Sequence, residues 1–216
     1  MIYIDGFCGP GRYKCGEPGS PLVVLNLAAN HIKTLSGDMV FWFIDERSDR
    51  VDHLKSELNK ASLPSNFKVK IDTGRFHEKL QTVLDEQESQ GVRLAPTFIF
   101  VDPFGFSGVP YSLVRRALQK PRWEILVTFM VDSINRWLDH PDNQISDHIA
   151  EIFGTTECFE INRQSDDRIG LLRDLYQEQL KKAAQFVRYF EMRDRKGRVV
   201  YLCSLRLTIG LVIGRY

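Results

Sequence analysis

Ile2-Tyr3-Ile4-Asp5-Gly6-Phe7-Cys8-Gly9-Pro10-Gly11 is a strand-length apolar run that ends on an acid and opens into a glycine loop. Gly9 and Gly11 permit positive φ and let the backbone come close to a ligand. A loop of this kind, leading from a parallel strand toward a helix, is the usual nucleotide-cofactor crevice. The dinucleotide fingerprint GxGxxG is not met, because Lys14 stands where the third glycine would be, which disfavours NAD and FAD. No GK[ST] follows, so the loop is not a P-loop.

Outward from this loop, short apolar runs alternate with stretches of helical period. Val40–Asp45, Phe67–Ile71, Phe98–Asp102 and Glu124–Met130 follow Ile2–Asp5 as strands. All but Phe67–Ile71 are apolar on both faces, as strands buried between two helix layers are. Phe67–Ile71 alternates, which places it nearer a sheet edge. Between the strands, Ser20 is placed to cap a helix with Pro21 in its first turn. Ser48–Ala61 and Phe76–Glu88 carry apolar residues at three- and four-residue spacings. Asp132–Thr156 reads as helical with a break at His140-Pro141, and Asp166–Ala184 as one long amphipathic helix. Phe186–Met192 and Val199–Cys203 then flank Arg193–Arg198 as a hairpin. The expected fold is a doubly wound, Rossmann-like α/β fold with a mostly parallel sheet ending in an antiparallel hairpin.

With 43% hydrophobic residues among 216, the chain has the apolar material for a core, and its 15 glycines and nine prolines are too few for a low-complexity chain. We expect one domain over residues 1–203 and an atypical tail over 204–216, whose period-two apolar pattern would exceed ordinary strand length unless it bends near Gly210. The net charge of +1 gives no global field toward nucleic acid or an anionic membrane, so any polyanion site is local. No run reaches the roughly 20 apolar residues of a membrane span, and the N-terminus shows no signal-peptide pattern. The four cysteines form no CxxC pair, the five histidines form no HExxH, and no GxSxG occurs; a metal site and a hydrolase elbow are not indicated. These features fit a cytoplasmic protein with reduced thiols.

Acids stand at or just beyond the ends of four predicted strands: Asp5, Asp45 (followed by Glu46), Asp72 and Asp102. In an open α/β sheet those ends line the ligand crevice. A carboxylate after the second strand is placed to accept hydrogen bonds from ribose hydroxyls, and Asp72 to receive an adenine amino group. The alternative is that these are capping or turn acids, since Asp favours both positions.

Asp5-x-Phe7-x-Gly9-x-Gly11, Asp45-Glu46, Asp72 and Asp102-Pro103-Phe104-Gly105 together resemble class I S-adenosylmethionine (SAM)-dependent methyltransferases. More closely, YIDGFCGPGRY (3–13), GEPGSPL (16–22), FIDE (43–46), FIFVDPFGFSGVP (98–110), EILVTFM (124–130) and INRWL (134–138) resemble the three-Cys-motif partner family (TcmP). The resemblance implies SAM as cofactor, with Asp5, Phe7, Gly9, Gly11, Asp45, Glu46 and Asp72 as its binding residues. It also implies a partner, a three-cysteine-motif, radical-SAM-like protein. Two departures stand out. Such proteins carry a helical segment before the first strand that helps cover the cofactor, and they continue past the hairpin, whereas Ser204–Tyr216 matches nothing placed; the expectation is a truncated or frameshifted copy.

Within this resemblance, Asp102, Pro103 and Phe104 are the catalytic candidates. The motif is similar to the DPPY/F of amino-methylating nucleic-acid enzymes and to the DPFG of a tRNA guanine methyltransferase family. A carboxylate and a neighbouring carbonyl accept two N–H bonds and orient an amino nitrogen, while Phe104 offers a face for stacking a base. Against this, Pro103 and Gly105 could merely end a strand. Asn135 and Arg136 are the substrate-binding candidates, Arg136 through its planar fork toward a phosphate, with an ordinary solvated helix arginine as the alternative. Arg188, Arg193, Arg195, Lys196 and Arg198, and separately Arg115, Arg116, Lys120 and Arg122, supply local basic patches for nucleic acid. Two readings follow: a SAM-dependent methyltransferase acting on an amino nitrogen of nucleic acid, and a non-catalytic methyltransferase-like partner module. A nucleotide-binding oxidoreductase is a third, disfavoured by Lys14.

Overall fold

The computed structural model describes residues 1–32, 37–91, 95–103 and 109–193, and the backbone of 199–206. Its elements are β1 (Ile2–Asp5), α1 (Ser20–Ala29), β2 (Met39–Asp45), α2 (Ser48–Leu58), β3 (Phe67–Thr73), α3 (Phe76–Gln90), β4 (Thr97–Val101), α4 (Tyr111–Gln119), β5 (Trp123–Phe129), α5 (Val131–Trp137), α6 (Asn143–Phe153), a 3-10 turn at Glu157–Glu160, α7 (Arg168–Ala183), β6 (Val187–Arg193) and β7 (Val199–Arg206). The strand order is β3-β2-β1-β4-β5-β7-β6. The order reverses between β1 and β4, the topological switch point at which open α/β sheets bind ligands.

Two compact units divide the chain, Met1–Phe100 and Val101–Tyr216. In the first, β1 pairs in parallel with β2 and with β4, and β2 in parallel with β3. β3 is the edge strand, and its alternating burial is what the alternating sequence demanded. One sheet face gathers Tyr3, Met39, Phe41 and Phe43 with Leu25 of α1 and Leu54 of α2, and Phe67, Val69, Ile71, Phe98 and Phe100 close in around them. By the period-two pleat, Ile4, Trp42 and Ile44 turn to the opposite face. In the second unit, Phe129 stacks on Tyr176 of α7 at 4.0 Å and meets Phe153 of α6 edge-on at 5.4 Å. The Tyr111 hydroxyl donates to the Gln179 carbonyl at 2.6 Å and ties α4 to α7. β7 pairs antiparallel with both β5 and β6.

Several local expectations change. Ser20 does not cap α1: Gly19 occupies the cap, and Ser20 is already helical with its hydroxyl on Asp5. β3 runs to Thr73, so Asp72 lies inside the strand, one residue before its end. β4 stops at Val101, leaving Asp102 just beyond it. The helical stretch after β5 resolves into α5 and α6 around His140-Pro141, with Asp142 accepting from the Gln144 N–H as the cap of α6. α4, which the sequence reading did not place, follows Pro110 and buries Leu113, Val114, Ala117 and Leu118. β7 extends three residues past Cys203; Gly210 and the rest of the tail lie outside the described residues.

Candidate functional site

The glycine loop is built by two buried acids. Asp5 closes β1; its Oδ1 accepts from the Phe7 N–H at 3.2 Å and its Oδ2 from the Ser20 hydroxyl at 2.6 Å. Asp45 closes β2; its Oδ1 accepts from the Arg47 N–H at 2.9 Å, and its Oδ2 from the Gly9 N–H at 3.0 Å and from Arg50 at 3.4 Å. Backbone bonds from Cys8 to Ile44 and from Gly6 to Phe100, both 3.0 Å, seat the loop over β2 and β4. Both acids thus perform the turn role left open as the alternative, and they act by holding the loop. Glu46 is exposed and makes no hydrogen bond or ion pair among the described residues, so its carboxylate keeps open lone pairs at this edge.

Gly9 and Gly11 both take positive φ, +62° and +79°, as the loop reading required. Their surroundings differ. A Cβ on Gly11 would stand 2.6 Å from Leu54 Cδ1, whereas one on Gly9 would meet nothing within 4 Å. Gly11 is therefore needed for internal fit, and Gly9 leaves open space beside the backbone. Phe7 is half-buried, with its ring 5.8 Å from that of Phe76. Beyond Gly11 the chain makes a small tongue, Arg12–Pro18, closed by an antiparallel bridge between its ends. Arg12 fastens it to Glu57 of α2 at 2.9 Å and to the Gly16 carbonyl at 2.7 Å, and the His53 Nδ1–H donates to the Pro10 carbonyl at 2.7 Å. Lys60 and, after it, Arg12 hold the Glu57 carboxyl down at about 2. These anchors lie far apart in sequence and carry no motif. Cys8 is buried in the core cluster, and burial pushes its thiol well above the ordinary range, the setting of a packing cysteine.

Asp72 is engaged as well. Its Oδ2 accepts from Trp42 Nε1 at 2.9 Å and pairs with Lys70 at 3.0 Å, while Lys70 also sits 4.4 Å over the Trp42 ring. The hydrogen bonds from Lys70 and Trp42 hold its carboxyl below the usual range against the opposing effect of partial burial.

In the second unit Asp102 is exposed by area, so its desolvation is partial; it raises the carboxyl pKa, and a hydrogen bond from the Thr128 hydroxyl opposes it. Thr128 is a buried β5 residue that the sequence reading passed over. Pro103 is buried; Phe104 lies outside the described residues. Arg136 bonds within its own helix, to the Asp132 carboxylate at 3.0 Å and the Asp132 carbonyl at 3.3 Å, as the solvated-helix alternative had it. Asn135 and Arg136 nevertheless share a cavity of about 790 Å³ with residues of α7 and β6. Arg193 of the hairpin lines it too, while Arg195, Lys196 and Arg198 lie outside the described residues. Among the described residues, no helix is long and apolar enough to cross a membrane.

No protein-family model matches the chain, and no curated protein matches it significantly. Solved structures do resemble it. The O-methyltransferase TomG from Streptomyces achromogenes, involved in tomaymycin synthesis and solved with SAM, aligns with 96% of this chain and 72% of its own at 16% identity and a TM-score of 0.50. The O-methyltransferase from Bacillus cereus, solved with SAH, aligns with 95% of this chain and 73% of its own at 17% identity and a TM-score of 0.49. Identities this low speak to architecture alone, and with the strand order they make this an α/β fold of the Rossmann-like methyltransferase type.

Proposed function

We propose that the chain is a SAM-dependent methyltransferase of the TcmP type that acts on an amino nitrogen of nucleic acid. The observation that carries the reading is the loop at the β1/β4 switch point: Gly9 is held in positive φ by Asp45 with open space beside it, and the Glu46 carboxylate stands exposed at the end of β2. These groups fit a nucleoside cofactor, the Gly9 backbone by close approach and Glu46 by accepting from ribose hydroxyls. Asp5 and Asp45 serve as positioning residues for the loop. Bound there, SAM supplies an electrophilic methyl group on a sulfonium. Asp102 accepts from the acceptor's amino group and orients its nitrogen; little base strength is required, because an aromatic amine becomes acidic only as it is alkylated. TomG, of the same architecture, was solved with this cofactor.

Calorimetric titration of the folded chain with SAM, with NADH as control, tests the reading. SAM alone is expected to bind. Gly9→Asp is expected to weaken it about tenfold or more with the fold retained, since no atom lies near the new Cβ. Absence of SAM binding in a folded sample would sink the proposal. The second reading, a non-catalytic partner module of a three-Cys-motif, radical-SAM-like protein, is favoured by one fact: Asp5, Asp45 and Asp72 are all bonded within the chain. Co-purification with such a partner, together with no methyl transfer to RNA or DNA from labelled SAM, would establish it instead.

A further inference from the structure

Lys79, early in α3, is half-buried, and its ammonium makes no hydrogen bond or ion pair among the described residues. Its stem is laid over the end of β3: a Cβ on Gly74 would stand 2.9 Å from Lys79 Cε and 3.8 Å from Nζ. Glycine at 74 lets the stem lie there, and the Gly74 N–H donates to the Asp45 carbonyl at 3.0 Å, which ties this turn to the end of β2. The ammonium is thereby brought to the rim on which Glu46 stands. On the same rim Asp72 is only half used. Its bonds from Trp42 and Lys70 both fall on Oδ2, which leaves Oδ1 to accept from a further donor. Asp72 and Lys79 also act on each other. Partial burial raises the Asp72 carboxyl, the hydrogen bonds from Lys70 and Trp42 lower it, and the charge of Lys79 adds to them from farther off. The two do not close into an ion pair, so a donor stands near an acceptor with neither saturated.

We infer that Lys79 and Asp72 read the base of the bound nucleoside and select adenine, Lys79 donating to N1 and Asp72 Oδ1 accepting from the N6 amino group. On that edge adenine presents an acceptor beside a donor. Hypoxanthine and guanine present the reverse, a ring N–H beside a carbonyl. The wrong base would set its N–H against an ammonium and its carbonyl against a carboxylate. Polar groups left unpaired in this way give a site strong discrimination. The inference rests on the nucleoside-cofactor reading of the Gly9 loop and goes beyond it by naming the lysine that decides the base.

Calorimetric titration of the full chain with SAH and with its hypoxanthine counterpart, S-inosylhomocysteine, tests the assignment. The native chain is expected to prefer SAH by about a hundredfold. Lys79→Met keeps an unbranched stem over Gly74 and breaks no hydrogen bond or ion pair among the described residues, so the fold is retained. It is expected to weaken SAH about tenfold while the inosine compound changes less than about threefold, so that the preference shrinks. Lys68→Met, the same charge change on an exposed side chain near the other end of β3, is expected to shift either Kd less than about twofold. Equal weakening of both ligands by Lys79→Met, an unchanged preference, or no preference in the native chain would overturn the inference and leave Lys79 a packing stem with a solvated charge. Those outcomes leave the cofactor reading standing, since SAH still binds. Binding of neither ligand by the folded native chain would remove that reading and this inference with it.

Discussion

Gly9 and Gly11 share a backbone conformation but not a role, and substitution separates them. Gly11→Ala combines the strain of φ +79° with a Cβ 2.6 Å from Leu54, and is expected to cost about 2–3 kcal/mol in urea unfolding. Gly9→Ala is expected to cost about 1 kcal/mol, the left-handed strain alone. Ser20→Ala leaves the buried Asp5 short of a donor and should lower stability by about 1–3 kcal/mol, the larger effect falling here and not on the helix cap, which is Gly19. Partial burial raises the Asp102 carboxyl above its ordinary range, and the hydrogen bond from the Thr128 hydroxyl opposes that rise. If methyl transfer needs the carboxylate, activity rises with pH through the Asp102 pKa. Thr128→Val should move that rise to higher pH in the kcat/KM profile; an unmoved profile would detach Asp102 from the chemistry.

Elements were more legible than side-chain partnerships. The five parallel strands, the helices after β2 and β3, the break at His140-Pro141 and the final hairpin followed from apolar period and punctuation. α4 was missed although Leu113, Val114, Ala117 and Leu118 recur at helical spacing; Tyr111–Gln119 is short and follows directly on the glycine- and proline-bearing stretch after β4, which drew the reading to the motif instead. The roles of Asp5 and Asp45 escaped because an acid after a strand looks the same whether it faces a ligand or bonds to a loop amide thirty-six residues away, as Asp45 does with Gly9. The tongue Arg12–Pro18 shows how such distant bonds govern an element. Lys60 first and Arg12 of the tongue second hold the carboxyl of Glu57, the anchor on α2, down at about 2 from its ordinary 4.5. A lowered carboxyl pKa means the anchoring is complete above about 4.5 and is lost as pH falls toward about 2. Exchange of the Tyr13 and Gly16 amides, which bond across the tongue, is expected to lose protection over that window in the native chain. In Glu57→Gln the protection should be low throughout and insensitive to pH.

At the scale of the molecule, the sheet's strand order departs from chain order at one end. β7 lies between β5 and β6, and pairs with both. A chain cut at Ala184 would present the backbone donors and acceptors of β5 as an open edge, and is expected to elute as aggregates on size exclusion where the longer chain does not. The interleaving also has a temporal side. During synthesis β6 leaves the ribosome before β7, yet it reaches the sheet only through β7. Vectorial emergence therefore cannot extend this sheet past β5 in the order the strands are made; β6 joins the sheet only with β7 or after it, and until β7 has emerged the edge of β5 has no strand to pair with.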